Sequence, residues 1–197
     1  MTQSQMAREI AEIPHAAARF LSQSAGAVAD AAGAMKTADP ALLVTVARGS
    51  SDHAATYLKY AVELLAGVPV ASVGPSIASI YRRPLKLGKA TCIGISQSGQ
   101  SPDIVEMIRS ARSGGALTIA ITNHADSPMA QASAACLPLQ AGTERSVAAT
   151  KTFVISVLAG LSLLAEWKED ADLRAAVAAA AADMQPRPAP SGCRHGW

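Results

Sequence analysis

The sequence predicts an α/β fold with three layers, in which helices cover both faces of a five-stranded parallel sheet. Five short apolar runs alternate with helix-like segments through the middle of the 197-residue chain. Each run is almost continuously apolar, as expected for a strand that is buried on both faces of a sheet. Regular alternation of strands and helices is typical of a parallel sheet with helical crossovers.

The N-terminal region is predicted to be helical. Apolar residues recur at helical spacing over residues 7–20, and an alanine-rich helix extends to about Met35. Asp39-Pro40 then ends the helical pattern, because proline cannot continue a helix. Neither helix carries residues that suggest chemistry, so both are interpreted as packing elements.

The predicted strands occupy residues 42–46, 70–73, 91–95, 117–121 and 136–139. The fifth strand contains Pro138 and is therefore expected at an edge of the sheet. The predicted helices after the first strand cover residues 54–65, 76–81, 102–113, a short segment opened by Ser127-Pro128, and residues 149–167. Right-handed crossovers then favour the flavodoxin-like strand order 2-1-3-4-5.

This strand order predicts where a ligand would bind. In such sheets the crevice lies between strands 1 and 3, at their C-terminal ends. Those two strands are followed by the loops Gly49-Ser50-Ser51 and Ser96-Gln97-Ser98-Gly99. Ser101-Pro102-Asp103 then opens a helix, with a favoured N-cap residue and a proline at the first helical position. Hydroxyls, amides and a helix dipole together predict a phosphate site, although serine and glycine are also ordinary turn residues.

Composition argues against several other classes of protein. The chain is 50% hydrophobic and 16% charged, which is typical of a folded domain. A net charge of +2 without a basic run gives no support to nucleic-acid binding. The longest apolar run, near residues 154–165, is too short to span a bilayer. We expect no nucleotide and no other cofactor, because neither a Walker A motif nor Gly-x-Gly-x-x-Gly is present.

The cysteines give no metal-ligand spacing, so no metal site is expected. Cys92 and Cys136 lie in apolar runs, which favours buried thiols, and Cys193 lies close to the C-terminal end of the sequence. Free thiols of this kind fit a protein of the reducing cytoplasm.

Three charged or titratable residues near the predicted loops have alternative interpretations. Glu144 follows the fifth strand and is a candidate base or hydroxyl ligand, but a salt bridge to a basic neighbour would explain it equally well. His53 stands near a helix start, where a capping or exposed polar role competes with catalysis. Arg48 could add positive charge to the site or could be ion-paired.

Three segments resemble the first sugar-isomerase (SIS) domain of aminosugar-phosphate enzymes. They are Gly-Ser-Ser-Asp-His-Ala at residues 49–54, Ser-Gln-Ser-Gly-Gln-Ser-Pro-Asp at 96–103, and Ala-Gly-Thr-Glu-Arg-Ser-Val-Ala-Ala-Thr-Lys-Thr-Phe at 141–153. The similar families are the isomerase half of glucosamine-6-phosphate synthase and the SIS-type glucosamine-6-phosphate deaminases. Residues 6–14 also resemble the start of those isomerase regions.

The resemblance implies a role for each matched residue. It implies that the phosphate is held by hydroxyls and one amide side chain, from Ser96, Ser98, Ser101 and Gln97. It implies that the first loop contacts the sugar through Gly49, Ser50 and Ser51, and that a backbone segment lines its other side at Val147 and Ala148. The implied ligand is glucosamine 6-phosphate or fructose 6-phosphate. Because a lone SIS domain would leave apolar faces of its Ala- and Leu-rich helices uncovered, we also expect self-association, most simply as a two-fold homodimer.

The resemblance also divides the chain. We expect N-terminal helices at 1–36, the SIS domain at 37–168, a terminal helix at 169–184 and an irregular tail at 185–197 that reads as a premature or out-of-frame end. Members of the family carry two SIS domains in tandem, and their proton-transfer residues come largely from the second. We therefore expect a chain that binds an aminosugar phosphate without converting it. A non-catalytic sensor module and a single-domain oligomeric isomerase are the alternatives.

Overall fold

A computed structural model describes residues 4–184. Its strands are β1 Leu42–Ala47, β2 Val70–Ser72, β3 Ala90–Ser96, β4 Leu117–Thr122 and β5 Ala135–Pro138. Its helices are α1 Gln5–Ala11, α2 Ile13–Gln23, α3 Ala25–Ala38, α4 Ser50–Ala66, α5 Ser76–Ser79, α6 Pro102–Ser113, α7 Pro128–Ala132, α8 Lys151–Lys168 and α9 Ala171–Asp183. The predicted tail at 185–197 lies outside the described residues.

The five strands form one parallel sheet in the order β2-β1-β3-β4-β5. The predicted three-layer fold and strand order are therefore confirmed. Strand β5 lies at an edge, where Pro138 removes no interior ladder bond. Ala47 of β1 is in register with Ile95 of β3, so the two central strands end at the same level.

Helices cover both faces of the sheet through two apolar clusters. On one face α3, α4 and α8 pack on the sheet, and α2 and α9 pack on α8. The shared apolar cluster includes Phe20, Met35, Leu58, Leu158 and Val177. On the other face α5, α6 and α7 pack through residues that include Ala78, Ile108 and Met129. Burial of a side chain such as Phe20 stabilises the fold by about 1.5–3 kcal/mol. The N-terminal helices thus share the core of the sheet.

Two predicted helix boundaries are wrong. The helix expected from residue 54 begins at Ser50, because Gly49 adopts a left-handed φ of 58° that turns the chain directly into α4. The helix expected over residues 7–20 breaks at Glu12 into α1 and α2. Pro14 has no amide hydrogen to donate to Ile10, as a continuous helix would require.

Burial affects the two cysteine thiols of the sheet. Cys92 is buried and Cys136 is half-buried, and both are free cysteines. Burial raises the pKa of the Cys92 thiol to about 12 and that of Cys136 to about 11. Neither thiol therefore ionises near neutral pH. Within residues 4–184, no helix is long and apolar enough to cross a membrane, and no His, Cys, Asp and Glu side chains group as metal ligands.

Candidate functional site

A cavity of about 270 Å³ lies at the C-terminal ends of β1 and β3, where the strand order predicts a ligand site. Three loops line it: the one after β1, the one after β3, and the one between β5 and α8. The lining residues are Arg48, Gly49, Ser50, Ser51, Ile95, Ser96, Gln97, Ser98, Ser101, Ile104, Glu144, Ser146, Val147 and Ala149. A wider groove of about 1280 Å³ between α5 and α6 shares Arg48 but none of the hydroxyl-rich loop residues 96–101.

The loop after β3 is folded by its own hydroxyls. The backbone amide of Gly99 donates to Ser96 Oγ at 3.2 Å, and that of Gln100 donates to Ser98 Oγ at 3.3 Å. A hydroxyl that accepts in this way keeps its own hydrogen for donation. Ser96 and Ser98 can therefore brace the loop and still donate to an anion in the cavity.

The same loop is anchored to the neighbouring strand. The carbonyl of Gln97 accepts the Asn123 amide at 3.1 Å and the Thr122 hydroxyl at 3.3 Å. Gly99 has a left-handed φ of 61°, and its α-carbon faces the Ser127 side chain with no room for a Cβ atom. The loop is thus held in one conformation by contacts on the side away from the cavity.

The N-terminal ends of two helices, α4 and α6, lie at the cavity, because Ser50, Ser51 and Ser101 line it. Ser101 occupies the N-cap position of α6 and Pro102 the first helical position, as predicted, but the Ser101 side chain makes no capping hydrogen bond. Its hydroxyl therefore remains available where it lines the cavity. Ser50 and Ser51 form the first turn of α4 on the opposite side. The two dipoles favour an anion between them.

Arg48 is ion-paired, which was one of its two predicted interpretations. Its guanidinium contacts Asp103 of the first turn of α6 at 2.8 Å, while its side chain stays 65% exposed. Arg48 lines the cavity, and both residues line the wider groove between α5 and α6. Asp103 and Asp52 both occupy first-turn positions, where the macrodipole favours a carboxylate.

The third wall is the loop that carries Glu144. The Glu144 carboxylate accepts the Thr150 amide at 2.9 Å and the Thr150 hydroxyl at 3.0 Å. It also accepts hydrogen bonds from Thr152, whose amide lies at 3.3 Å and whose hydroxyl makes a close contact. Within the described part of the chain it forms no salt bridge, so that alternative is wrong. Its carboxylate braces the start of α8.

Sequence reasoning missed Glu9. This residue of α1 is only 1% exposed and accepts the backbone amides of Arg145 at 2.7 Å and Ser146 at 3.2 Å. The Ser146 hydroxyl and the Arg145 amide favour its charged form and lower the pKa of Glu9 from 4.5 to about 2. The one signal for it in the sequence is the resemblance of residues 6–14 to the start of the family region. The apolar spacing of this segment indicates only a packing helix.

A second buried charge was also missed. Lys151, at the first position of α8, is 1% exposed and forms a close ion pair with Glu12 between α1 and α2. Lys151 stands between Thr150 and Thr152, and this polar stretch has no apolar pattern from which burial could be predicted.

The structure brings nearly all predicted site residues together. Residues of all three predicted segments line the cavity: Gly49, Ser50, Ser51, Ser96, Gln97, Ser98, Ser101, Glu144 and Val147. Ala148 is exposed beside Val147 and does not line it. His53 is exposed and faces a separate apolar groove with Tyr57 and Tyr60. The described geometry therefore separates His53 from the cavity.

Comparison with known proteins supports the class that this fold and site define. The model of the SIS domain family matches residues 38–165. The chain belongs to the SIS domain family.

Particular relatives are of two kinds. A curated glutamine–fructose-6-phosphate aminotransferase [isomerizing] from Leifsonia xyli subsp. xyli is 38% identical over 168 residues, which cover 80% of this chain and 27% of that protein. A solved structure from Silicibacter pomeroyi DSS-3, described as a phosphosugar isomerase, is 54% identical with a TM-score of 0.90, and covers 92% of this chain and 56% of its own.

A third comparison concerns the fold alone. The C-terminal domain of glucosamine-fructose-6-phosphate aminotransferase from Francisella tularensis has a TM-score of 0.74 at 24% identity, over 93% of this chain and 53% of its own. The chain thus spans about a quarter of the length of the curated relative and about half of the two solved chains.

Proposed function

We propose that the cavity binds an aminosugar or ketose phosphate, and that glucosamine 6-phosphate and fructose 6-phosphate are its ligands. The observation that carries this proposal is the convergence of two helix N-termini and the hydroxyls of Ser96, Ser98 and Ser101 on one small cavity. Hydroxyls and amides of this kind suit a compact phosphate monoester. The similarity to an aminotransferase whose name includes fructose 6-phosphate supports the choice of sugar.

The roles of the walls follow from their chemistry. The loop after β3 and the N-terminus of α6 would hold the phosphate, while Ser50, Ser51 and the backbone at Val147 would face the sugar. Glu144 would tie the loop that forms the sugar wall to the start of α8, because its carboxylate accepts hydrogen bonds from Thr150 at the end of that loop and from Thr152 in the first turn of α8. The reaction served is aldose–ketose isomerisation or deamination, which moves protons between C1 and C2 after ring opening. Free buried thiols fit a cytoplasmic setting.

Replacing Ser98 with alanine tests the phosphate assignment. We expect Ser98→Ala to weaken glucosamine 6-phosphate binding by about 1–3 kcal/mol, the scale of a charge-assisted hydrogen bond. Isothermal titration calorimetry would measure it. The control is Ser22→Ala on α2, where the hydroxyl only donates to the carbonyl of Arg19. Equal affinity for glucosamine and its 6-phosphate would contradict the proposal.

We further propose that the chain forms a homodimer through the outer face of α4. Large apolar side chains are exposed on this helix: Tyr57 (52%), Tyr60 (62%), Leu64 (79%) and Leu65 (52%). A contiguous apolar face of this kind marks an interaction surface, and two-fold dimers are the commonest assemblies.

Charge on the α4 face should separate the subunits. We expect a dimeric mass by light scattering at micromolar concentration, and a monomeric mass for Leu64→Glu, because pairing would bury the new carboxylate. Ile80→Glu is the control, since Ile80 is 71% exposed but lies outside α4. A monomeric unmodified chain, or loss of the dimer in Ile80→Glu alone, would refute the assignment.

A further inference from the structure

The sugar-facing wall of the cavity is fastened to a helix far away in sequence. Glu9 on α1 lies 136 positions before Arg145 and accepts its amide through Oε1, while Oε2 accepts the next amide, that of Ser146. Both amides lie in the segment 144–147, and Glu144, Ser146 and Val147 of this segment line the cavity. One carboxylate therefore grips two successive peptide groups at the centre of the wall.

The two hydrogen bonds of Glu9 go to a segment that has no secondary structure of its own. Residues 139–150 join β5 to α8 without helix or strand. The Leu139 amide still donates to the Thr122 carbonyl of β4, whereas amides further along the segment depend on side chains or water. The beginning of the segment is fixed by Arg19, which donates to the Gln140 carbonyl at 3.1 Å, and its end by the Glu12–Lys151 ion pair. Glu9 fixes the middle.

Glu9 is itself held in place. Gln5, one turn earlier on α1, donates to Glu9 Oε1 at 2.9 Å, and Arg8 donates to the Gln5 side-chain oxygen at 2.7 Å. A buried carboxylate is tolerated only when hydrogen bonds replace its hydration. The backbone amides of Arg145 and Ser146 supply them, so the docking of α1 and the conformation of the wall depend on each other.

We propose that Glu9 is a positioning residue for the sugar, which fixes the wall at residues 144–147 in the conformation that receives the ligand. This inference rests on the proposed function, and it assigns to the N-terminal helix a part in the site. Glu9 does not line the cavity, and it acts through the backbone that does.

The consequence is a split between two ligands. If the wall occupies the receptive conformation for only a fraction of the time, the apparent affinity for the sugar phosphate falls to that fraction of its full value. Glucosamine 6-phosphate would contact both the phosphate loop and the wall, whereas inorganic phosphate would contact only the loop at residues 96–101. Loss of the Glu9 hydrogen bonds should therefore lower the affinity for the sugar phosphate and leave the affinity for inorganic phosphate unchanged.

The test uses Glu9→Gln in the full chain. Glutamine keeps the shape of the side chain, but its amide NH2 group is a hydrogen-bond donor and would face one of the two backbone N–H donors, so one hydrogen bond is lost. The matched control is Glu63→Gln, since Glu63 also accepts a backbone amide, that of Val70 at 3.1 Å, and does not line the cavity. Calorimetry would give the affinities for glucosamine 6-phosphate and for inorganic phosphate. Hydrogen exchange would report the amides of Arg145 and Ser146.

We expect Glu9→Gln to lower the affinity for glucosamine 6-phosphate about tenfold or more, to change that for inorganic phosphate by less than about twofold, and to speed exchange of both amides. Glu63→Gln should change none of these. A parallel fall for both ligands, or an unchanged sugar-phosphate affinity, would overturn the positioning role while leaving the proposed function intact. An unmodified chain that binds inorganic phosphate but no sugar phosphate would instead overturn the proposed function, and this inference with it.

Discussion

Gly99→Ala should abolish phosphate binding and destabilise the domain by about 2–5 kcal/mol, the sum of a left-handed backbone penalty and of overpacking. Gly99 has a φ of 61°, and a Cβ atom there would lie 2.2 Å from Ser127 Oγ and 2.7 Å from Ser127 Cβ. Ser127 is buried and caps α7, so it has no room to withdraw. The loop must therefore move, and the amides and hydroxyls of residues 96–101 move with it.

The control separates backbone strain from collision. Gly67, at the end of α4, has a φ of 67°, but a Cβ atom there would meet nothing within 4 Å. Gly67→Ala should therefore carry only the backbone penalty of about 1–2 kcal/mol and leave phosphate affinity unchanged. Urea denaturation and calorimetry would compare the two variants. Equal stability losses in both, with phosphate affinity intact in Gly99→Ala, would show that the tight approach at Ser127 does not shape the site.

The fold was predictable because its signals are local. Each strand is a short apolar run, and each crossover helix starts or ends at a glycine, a proline or a serine cap that can be recognised without knowing the rest of the structure. Once the strand order is known, the meeting of the loops after β1 and β3 follows from topology. The position of the loop at residues 96–101 beside the loop after β1 is therefore predictable from the sequence.

The remaining features depend on contacts between distant segments. Glu9 resembles any glutamate on an amphipathic helix, and only the folded chain shows that it grips a loop 136 positions away. Lys151 is buried because Glu12 lies opposite it, and local sequence does not record that pairing. The early start of α4 at Ser50 depends on the φ of Gly49, which a glycine permits but does not require. Tertiary contacts decide such features.

The chain should bind glucosamine 6-phosphate, but the side chains of residues 4–184 should not catalyse measurable turnover. Proton transfer between C1 and C2 requires a base that can reach the sugar. Glu144 is the carboxylate that lines the cavity within residues 4–184, and both of its oxygens accept hydrogen bonds from Thr150 and Thr152. His53 faces a different groove. Each acid or base group that does not reach the sugar costs a factor of about 10²–10⁴ in rate, so little activity is expected from the cavity as described.

The assay follows ammonia release and fructose 6-phosphate formation from glucosamine 6-phosphate, and then conversion of fructose 6-phosphate to glucose 6-phosphate. Robust turnover that Glu144→Gln or His53→Ala abolishes would contradict the expectation and favour a self-sufficient oligomeric isomerase. Binding without turnover, with activity appearing when a second SIS domain is supplied in trans, would support a shared site. Binding without turnover, both for the chain alone and with the second SIS domain present, would favour a sensor of sugar phosphate. A cavity that holds the ligand without a reachable base can report its presence but cannot transform it.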